Sequence, residues 1–265
     1  LTSNTTGFFN SAFGASSLLI NSTGLENTAI GGAALSANTT GQFNTAVGFN
    51  ALSFTQTSDE NTVVGNSAAS LHHLGVNNTI IGSNADVGFD GIFNSVVVGE
   101  LGRATGSNQV RLGNTSTTSI GGVVGFTNLS DGRFKKNISD SVKGVDFIMR
   151  LRPVTYQLDI DAINKKLKIN SSENLKEFAK AGMAQNSKMV FSGFVAQDVE
   201  KAAKEAGYDF SGVDKPKNEN DFYGLRYSDF VVPLVKAIQE QQHMIDELRK
   251  QNADLQKRMS ALEHK

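Results

Sequence analysis

The sequence contains no cysteine, so no disulfide stabilises the chain and cysteine usage gives no information about the redox compartment. No run approaches the roughly 20 consecutive apolar residues of a transmembrane helix, so we expect no membrane insertion. The formal net charge is only −1, which gives no reason to expect nucleic acid as a partner. The 265 residues suffice for two domains and a sizeable core.

Charged side chains are scarce in the first half of the chain. Residues 1–129 hold six acidic residues and two arginines in a background rich in Gly, Asn, Ser and Thr, whereas charged residues are frequent from Ser130 onward. So abrupt a change in composition predicts two structural units that meet near residue 130. Six scattered acids also provide no recognisable carboxylate pair for glycan hydrolysis.

A pentapeptide that closes on glycine recurs along the first half. Its copies begin at Asn10, Asn27, Asn44, Asn61 and Asn78. The closing glycines are evenly spaced, at positions 14, 31, 48, 65, 82 and 99. A last, shortened copy closes at Gly113. Short β-favouring runs punctuated by glycine at a fixed period predict a β-solenoid whose stacked coils share one core.

Several residue types within the repeat have more than one interpretation. The repeated asparagines either form a ladder of side-chain hydrogen bonds or tolerate turn geometry. The phenylalanines favour core or inter-subunit packing, with an exposed aromatic platform for sugar as the alternative. The pair His72-His73 favours a loop insertion over a metal site, since no third ligand is near in sequence. We expect no metal and no cofactor.

The repeat resembles the head repeats of trimeric autotransporter adhesins and of many phage tail fibres. In those families three chains each wind a β-roll and pack side by side. The resemblance covers roughly residues 5–113 and implies a homotrimer.

At the junction the chain reads Leu129-Ser130-Asp131-Gly132-Arg133-Phe134-Lys135-Lys136-Asn137. A serine hydroxyl needs a base to become a nucleophile, and a lysine serves as that base only when its amine is neutral. Burial and nearby cations favour the neutral amine, and Arg133 and Lys136 supply such charges. On spacing alone, however, a capping Ser-Asp before a charged turn is the favoured interpretation.

The pattern Ser-Asp-x-Arg-x-Lys-x-Asn resembles the start of the S74 peptidase family, the intramolecular chaperones of endosialidase tailspikes and many phage fibres. Further landmarks follow in order at 151–156, 192–199, 225–230 and 232–234, so that the resemblance spans residues 130–262. It implies a Ser–Lys dyad in which Ser130 is the nucleophile and Lys135 the general base. Cleavage would fall between Leu129 and Ser130, and Asp131, Arg133 and Asn137 would position the site.

A heptad pattern runs from Val231 to Leu262. Position a holds Val231, Ile238, Ile245, Asn252 and Met259. Position d holds Leu234, Gln241, Leu248, Leu255 and Leu262. The pattern predicts a coiled coil, with a helix packed on its own domain as the alternative. The family resemblance, not the heptad, implies three strands.

The predicted fold class is a mainly β N-terminal half, built as a trimeric β-roll or solenoid, followed by an α+β chaperone domain that ends in a trimeric coiled coil. The predicted boundaries are a shaft or head at 1–113, a connector at 114–129, the chaperone domain at 130–230 and the coiled-coil helix at 231–265.

The predicted function is the C-terminal part of a trimeric fibre, in a phage tail or on a bacterial surface. Its C-terminal domain would direct trimerisation and folding and be released by autoproteolysis between Leu129 and Ser130. The alternative is an adhesin tip that binds a host-cell glycan or protein receptor and keeps its chaperone-like domain attached. Either implies an extracellular, cell-surface or virion location. Because the sequence begins at Leu1 without a signal peptide, we expect a longer protein with any export signal upstream.

Overall fold

The computed structural model describes residues 1–169 and 175–263, which form two compact units. The first unit consists of Leu1–Val124, Gln157–Met189 and Pro216–Phe222. The second unit consists of Gly125–Tyr156, Val190–Lys215 and Tyr223–Lys265. The predicted fold class is confirmed, because a parallel β-solenoid precedes a mixed α/β region and a long C-terminal helix.

Short strands stacked in parallel build the solenoid. They are β1 (Ser11–Phe13), β2 (Thr28–Ile30), β3 (Thr45–Val47), β4 (Thr62–Val64), β5 (Thr79–Ile81), β6 (Asp86–Val87), β7 (Val96–Val98), β8 (Arg103–Ala104) and β9 (Val110–Leu112). The main sheet has the order β1-β2-β3-β4-β5-β7-β9, and β6 pairs with β8. Residue 11 pairs with 28, 28 with 45 and 45 with 62, so one period of the repeat is one coil of the solenoid.

In five strands of the main sheet the middle residue lines the interior of the solenoid. These residues, Ala29, Ala46, Val63, Ile80 and Val97, are all fully buried. Because side chains alternate across a strand, the third residue of each of these strands faces outward. The apolar residues Leu18, Leu35 and Leu52, which follow the closing glycines, are fully buried as well.

The leucine column becomes charged in the last coils. Asp86 and Arg103 lie in this column, one coil apart and paired in register between β6 and β8. Both side chains are buried. The Asp86 carboxylate accepts hydrogen bonds from the backbone N–H groups of Leu71 and Val87 at 2.9 and 2.7 Å, and Arg103 Nη1 donates to the Asn84 carbonyl at 2.6 Å.

The repeated asparagines form a hydrogen-bonded ladder through the interior. Asn27 Nδ2 donates to Asn10 Oδ1 at 3.2 Å, and the same contact recurs from Asn44 to Asn27 at 3.1 Å and from Asn61 to Asn44 at 3.2 Å. Each of these three amides also donates to a backbone carbonyl, so the side-chain amides of this column are satisfied. This confirms the ladder interpretation of the asparagines.

The closing glycines are required by both conformation and space. Gly48 has φ +133°, a region that residues with a side chain rarely adopt, and a Cβ at this position would overlap the backbone of Gly65 in the next coil. We expect Gly48→Ala to destabilise the solenoid by about 1–3 kcal/mol or more, since strain and overlap add. Denaturant unfolding of the purified chain measures this.

The matched control is Gly121→Ala. A Cβ at Gly121 meets nothing within 4 Å, and its φ lies outside the left-handed region. Equal stability of the two variants would contradict the tight stacking of the coils.

The phenylalanines of the solenoid are mostly exposed. Phe89 packs partly against the core. The exposed members are Phe8, Phe9, Phe13, Phe43, Phe49, Phe54 and Phe93. The expectation of core packing is therefore wrong for these exposed side chains, and packing between subunits stays a prediction.

The remaining elements belong to the segments that follow the solenoid. The helices are α1 (Val145–Ile148), α2 (Ile160–Lys166), α3 (Glu177–Lys188), α4 (Ala196–Glu205) and α5 (Val231–Glu263). The strands are β10 (Val154–Tyr156), β11 (Phe191–Gly193), β12 (Val213–Asp214) and β13 (Gly224–Leu225). In the second unit β10 pairs with β11 and β12 with β13, both antiparallel.

The second unit has its own hydrophobic core. Helix α4 buries Val199, Ala202 and Ala203, which recur at the spacing of one helical face. Phe147 of α1 is fully buried, and its ring centroid lies 4.9 Å from that of Phe210. This core lies close in sequence to Ser130 on one side and to α5 on the other.

Helix α5 contacts its own unit only through its first turns. Pro233 and Ala237 are buried, and Glu240 Oε2 accepts a hydrogen bond of 2.8 Å from the backbone N–H of Val145. From Gln241 to Leu262 every residue is exposed. The alternative of a helix packed on its own domain therefore holds for one face of the first turns, while the heptad face is exposed and the coiled coil stays a prediction.

Along the part of the chain that the structure describes, no helix combines the length and apolar character needed to cross a membrane.

Candidate cleavage site

The chain approaches Ser130 as an exposed segment. Residues 118–130 are all exposed, and Leu129 retains 85% of its accessible surface. The peptide bond between Leu129 and Ser130 therefore lies in a stretch that the rest of the chain does not cover.

A short 3₁₀ helix, Gly132–Phe134, follows directly. Asp131 is its N-cap residue, and its carboxylate accepts a 2.9 Å hydrogen bond from the backbone N–H of Arg133. The Arg133 guanidinium also binds this carboxylate through Nε and Nη2, with 2.6 Å between Nη2 and Oδ2. The side-chain bond to Arg133 lowers the pKa of Asp131, so the pair is ionised at neutral pH.

The 3₁₀ turn brings Lys135 back towards Ser130. A 3₁₀ helix completes a turn in about three residues, so the chain reverses over a short distance. Lys135 Nζ lies 2.9 Å from Ser130 Oγ, within hydrogen-bonding distance. Nucleophile and base at this separation are the first geometric requirement of a Ser–Lys dyad. Asp131 is also a cap, so the capping interpretation and the dyad geometry coexist.

The predicted positioning residues differ in what they contact. Arg133 pairs with Asp131, so its charge is largely compensated and it does not act as a free cation beside Lys135. Asn137 adopts the left-handed conformation with φ 55°, which asparagine tolerates better than most residues. The sequence had suggested Arg133 as a cation that favours neutral Lys135; its pairing with Asp131 argues against that role.

Three exposed apolar side chains lie near Ser130 and Lys135 in sequence. Phe134 and Ile138 are exposed at 72% and 77%, as is Leu129. The Arg133 guanidinium lies over the Phe134 ring, 5.8 Å from its centroid. In a single chain, Ser130 and Lys135 are both exposed to water.

The later landmark motifs meet within the second unit. Tyr156 of β10 lies opposite Phe191 of β11 in the antiparallel pair. The backbone N–H of Phe194 donates a 3.1 Å hydrogen bond to the Tyr227 hydroxyl, and the Phe194 ring stacks on Phe230 with 5.3 Å between centroids. Motifs far apart in sequence therefore build one aromatic cluster.

The histidine pair makes separate contacts. His72 Nδ1 lies 3.7 Å from Asp86 Oδ1, and the His73 ring packs on Phe54 with 4.8 Å between centroids. Within residues 1–169 and 175–263, no group of three or more His, Cys, Asp or Glu side chains is placed to hold a metal ion.

Residues 130–208 match the model of the peptidase S74 family, described as the chaperone of endosialidase. The match begins at Ser130 and includes Lys135, the aromatic cluster up to Phe194 and helix α4. It confirms the predicted resemblance for this segment, while α5 and the solenoid lie outside it. No curated protein and no solved structure matches the chain.

Proposed function

We propose that the chain is the C-terminal part of a homotrimeric fibre whose last residues direct assembly, after which one self-cleavage between Leu129 and Ser130 breaks their covalent link to the shaft. The observation that carries this proposal is the 2.9 Å contact of Lys135 Nζ with Ser130 Oγ at the first residue of the matched family segment. A fibre of this kind belongs on a virion or a cell surface.

The proposed division of labour follows the predicted boundaries. Residues 1–113 form the shaft or head, 114–129 the connector, 130–230 the chaperone domain and 231–265 the oligomerisation helix. The described elements support this order, because the solenoid strands end at Leu112 and helix α5 begins at Val231.

The heptad face of α5 supports assembly. Its apolar members, among them Ile238, Ile245 and Leu248, are all exposed in the single chain. A helix with a sustained apolar stripe and no partner loses most of the burial that stabilises helices in water. Association of several α5 helices along this face buries the stripe and fixes their register.

A second apolar stripe runs along the solenoid. The outward-facing third residues of the strands are in register, and Phe13, Ile30, Ile81 and Val98 among them are exposed. Each of these coils contributes one such residue, so the stripe has the same spacing in every copy of the chain. In an isolated chain the stripe is exposed to water, and side-by-side packing of identical solenoids buries it.

The chemistry of cleavage follows from the dyad. Ser130 Oγ attacks the carbonyl carbon of Leu129 while Lys135 Nζ, as the neutral amine, takes the hydroxyl proton. The bond from this carbon to the Ser130 nitrogen breaks, and the nitrogen receives the proton from Lys135. This transfer leaves an ester between Leu129 and Ser130 Oγ and a free amino group on Ser130. Water then hydrolyses the ester, which gives a carboxylate on Leu129 and restores the Ser130 hydroxyl.

Assembly of several chains would bury the site, which is exposed to water in the single chain. A buried environment favours the neutral form of a lysine amine, and both dyad residues are exposed in one chain. The exposed side chains of Leu129, Phe134 and Ile138 provide an apolar surface for a neighbouring subunit. We therefore expect cleavage to follow assembly.

The order of events has a physical rationale. A coiled coil forms from local contacts, whereas a solenoid depends on contacts at least one full coil apart in sequence and folds more slowly. Joining three α5 helices raises the effective concentration of the three solenoids to about the millimolar range. After cleavage an unfolded shaft is no longer covalently joined to the domain that directed its assembly and refolds poorly. The stability of the shaft then depends on its rate of unfolding.

Light scattering of the intact protein tests the trimer. A chain with Ser130→Ala, which keeps all residues joined, should give three times the chain mass of 28.3 kDa. A monomeric or dimeric mass at micromolar concentration would contradict the proposal, whatever the state of the Leu129–Ser130 bond.

A further inference from the structure

The asparagine ladder ends near the last coil of the solenoid. The column runs from Asn78 to Ser95, whose backbone N–H donates to Asn78 Oδ1 at 3.1 Å. The next residue in register is Gln109, because Val96 pairs with Val110 in the shortened coil. Gln109 Oε1 accepts a 3.0 Å hydrogen bond from the backbone N–H of Thr105. The Nε2 group of Gln109 needs acceptors of its own, and these come from outside the solenoid.

Asp221 supplies these acceptors from a segment far away in sequence. Gln109 Nε2 donates to the two Asp221 oxygens at 3.2 and 3.3 Å. Thr105 Oγ1 donates to Asp221 Oδ1 at 2.6 Å, and Arg111 Nη2 lies 3.7 Å from the same oxygen. Asp221 is only 5% exposed, so its carboxylate is a buried end group of the ladder.

Hydrogen bonds within its own loop fix the position of the Asp221 carboxylate. The backbone N–H groups of Phe222 and Lys217 donate to it at 2.9 and 3.2 Å. Burial disfavours the charged carboxylate, but the hydrogen bonds from Thr105, Phe222, Lys217 and Gln109 outweigh it and hold the pKa of Asp221 below its ordinary value. The ladder therefore ends on a carboxylate at neutral pH.

Residues 157–169 and 175–189 contact the chain directly after the last strand of the solenoid. Asn186 Nδ2 of α3 donates to the carbonyls of Thr115 and Thr117 at 2.9 and 3.0 Å. Thr115 Oγ1 donates to Asn164 Oδ1 of α2 at 2.6 Å. A Cβ on Gly182 would overlap the backbone of Ser116, so α3 approaches this segment closely.

Both contacting segments lie downstream of Ser130, although they belong to the same compact unit as the solenoid. We propose that residues 157–169, 175–189 and 216–222 form a cap that ends the asparagine ladder through Asp221 and keeps the C-terminal fragment bound to the shaft after the chain is cut. The cap rests on contacts within the first unit; its role after self-cleavage rests on the proposed function. An uncapped solenoid exposes its last coil, and the cap covers it.

The test separates retention from self-cleavage. A recognition sequence for a specific protease is inserted between Gly121 and Gly122, in a chain that also carries Ser130→Ala, so that only the added protease cuts. After cutting, size-exclusion chromatography in non-denaturing buffer should show both fragments eluting together. Separate elution of the two fragments would overturn the proposal, whereas failure of the unmodified chain to cut itself would overturn only the proposed function.

Matched variants test the role of Asp221. Asp221→Ala should speed dissociation of the cut fragments by about tenfold or more, since charge-assisted hydrogen bonds are the strong ones. Glu219→Ala is the control: it removes an exposed acid from the same loop and should leave dissociation unchanged. Equal rates for the two variants would contradict the assignment of Asp221.

A second variant changes the solenoid instead of the Asp221 loop, because Asp221→Ala also removes hydrogen bonds within its own loop. Thr105→Val removes the hydroxyl that donates to Asp221 and keeps the shape of the side chain. It should also speed dissociation, by several-fold, relative to Thr118→Val at an exposed position. If Thr105→Val behaves like Thr118→Val, the carboxylate does not hold the fragments together.

Discussion

A chain with Ser130→Ala should stay intact, because no other group can attack the Leu129 carbonyl from the position of Ser130 Oγ. Lys135→Ala should slow cleavage by about 10²–10⁴-fold, the usual contribution of a general base. Lys135→Arg should be equally slow, since a guanidinium does not accept the proton. Denaturing gels sampled over time measure both effects.

The controls lie close to the dyad in sequence. Lys143→Ala changes an exposed lysine eight residues after Lys135, and Ser139→Ala changes an exposed serine nearby. Both should cut at the unmodified rate. If the Ser130→Ala chain is still cut at that same bond, Ser130 is not the nucleophile. If Lys135→Ala cuts at the unmodified rate, Lys135 is not the general base.

Ile245→Lys should abolish assembly. Ile245 occupies position a at the middle of the heptad face and is exposed in the single chain. In a trimer it would be buried, and an unpaired buried charge costs about 3–5 kcal/mol at each site. Light scattering should therefore give the mass of one chain. Because cleavage is expected to follow assembly, denaturing gels should show an uncut chain as well.

His243→Lys is the matched control on the same helix. His243 lies on the outer face, where its Nε2 is 3.2 Å from Glu247 Oε1, and a lysine there keeps an ionic partner. This variant should assemble and cut normally. A trimeric Ile245→Lys would mean that the heptad face is not the contact between chains.

The solenoid could be predicted in detail from its sequence. The constant period of the repeat fixes the register of every coil, and the structure has this register from β1 to β7. The pentapeptides that begin at Asn10, Asn27, Asn44, Asn61 and Asn78 each contain one strand, from β1 to β5. Exposure of the phenylalanines was not predictable, because a β run alone does not say which aromatic residues find a partner within the same chain.

Long-range polar contacts were beyond the reach of sequence patterns. Asp221 lies in a polar loop with no periodic signal, and its contact with Gln109 depends on how two distant segments fold. The pair Asp86 and Arg103 gave a weak signal, since both fall in the leucine column one period apart. These two charged residues replace leucine in the buried column in the last coils of the solenoid, just before the shortened copy of the repeat.

The candidate site depended on a motif rather than on spacing. A serine five residues before a lysine occurs in many turns, and the spacing alone favoured a simple cap. The structure has that cap at Asp131 and also the contact of Lys135 with Ser130. The pairing of Arg133 with Asp131 could not be foreseen, because the same residues could have pointed towards Lys135.

Intact-mass spectrometry of the purified chain after denaturation tests the central claim most directly. The account predicts two species, residues 1–129 ending in the carboxylate of Leu129 and residues 130–265 beginning with the free amino group of Ser130. A single species of 28.3 kDa from an assembled trimer, or a cut at any other bond, would contradict it.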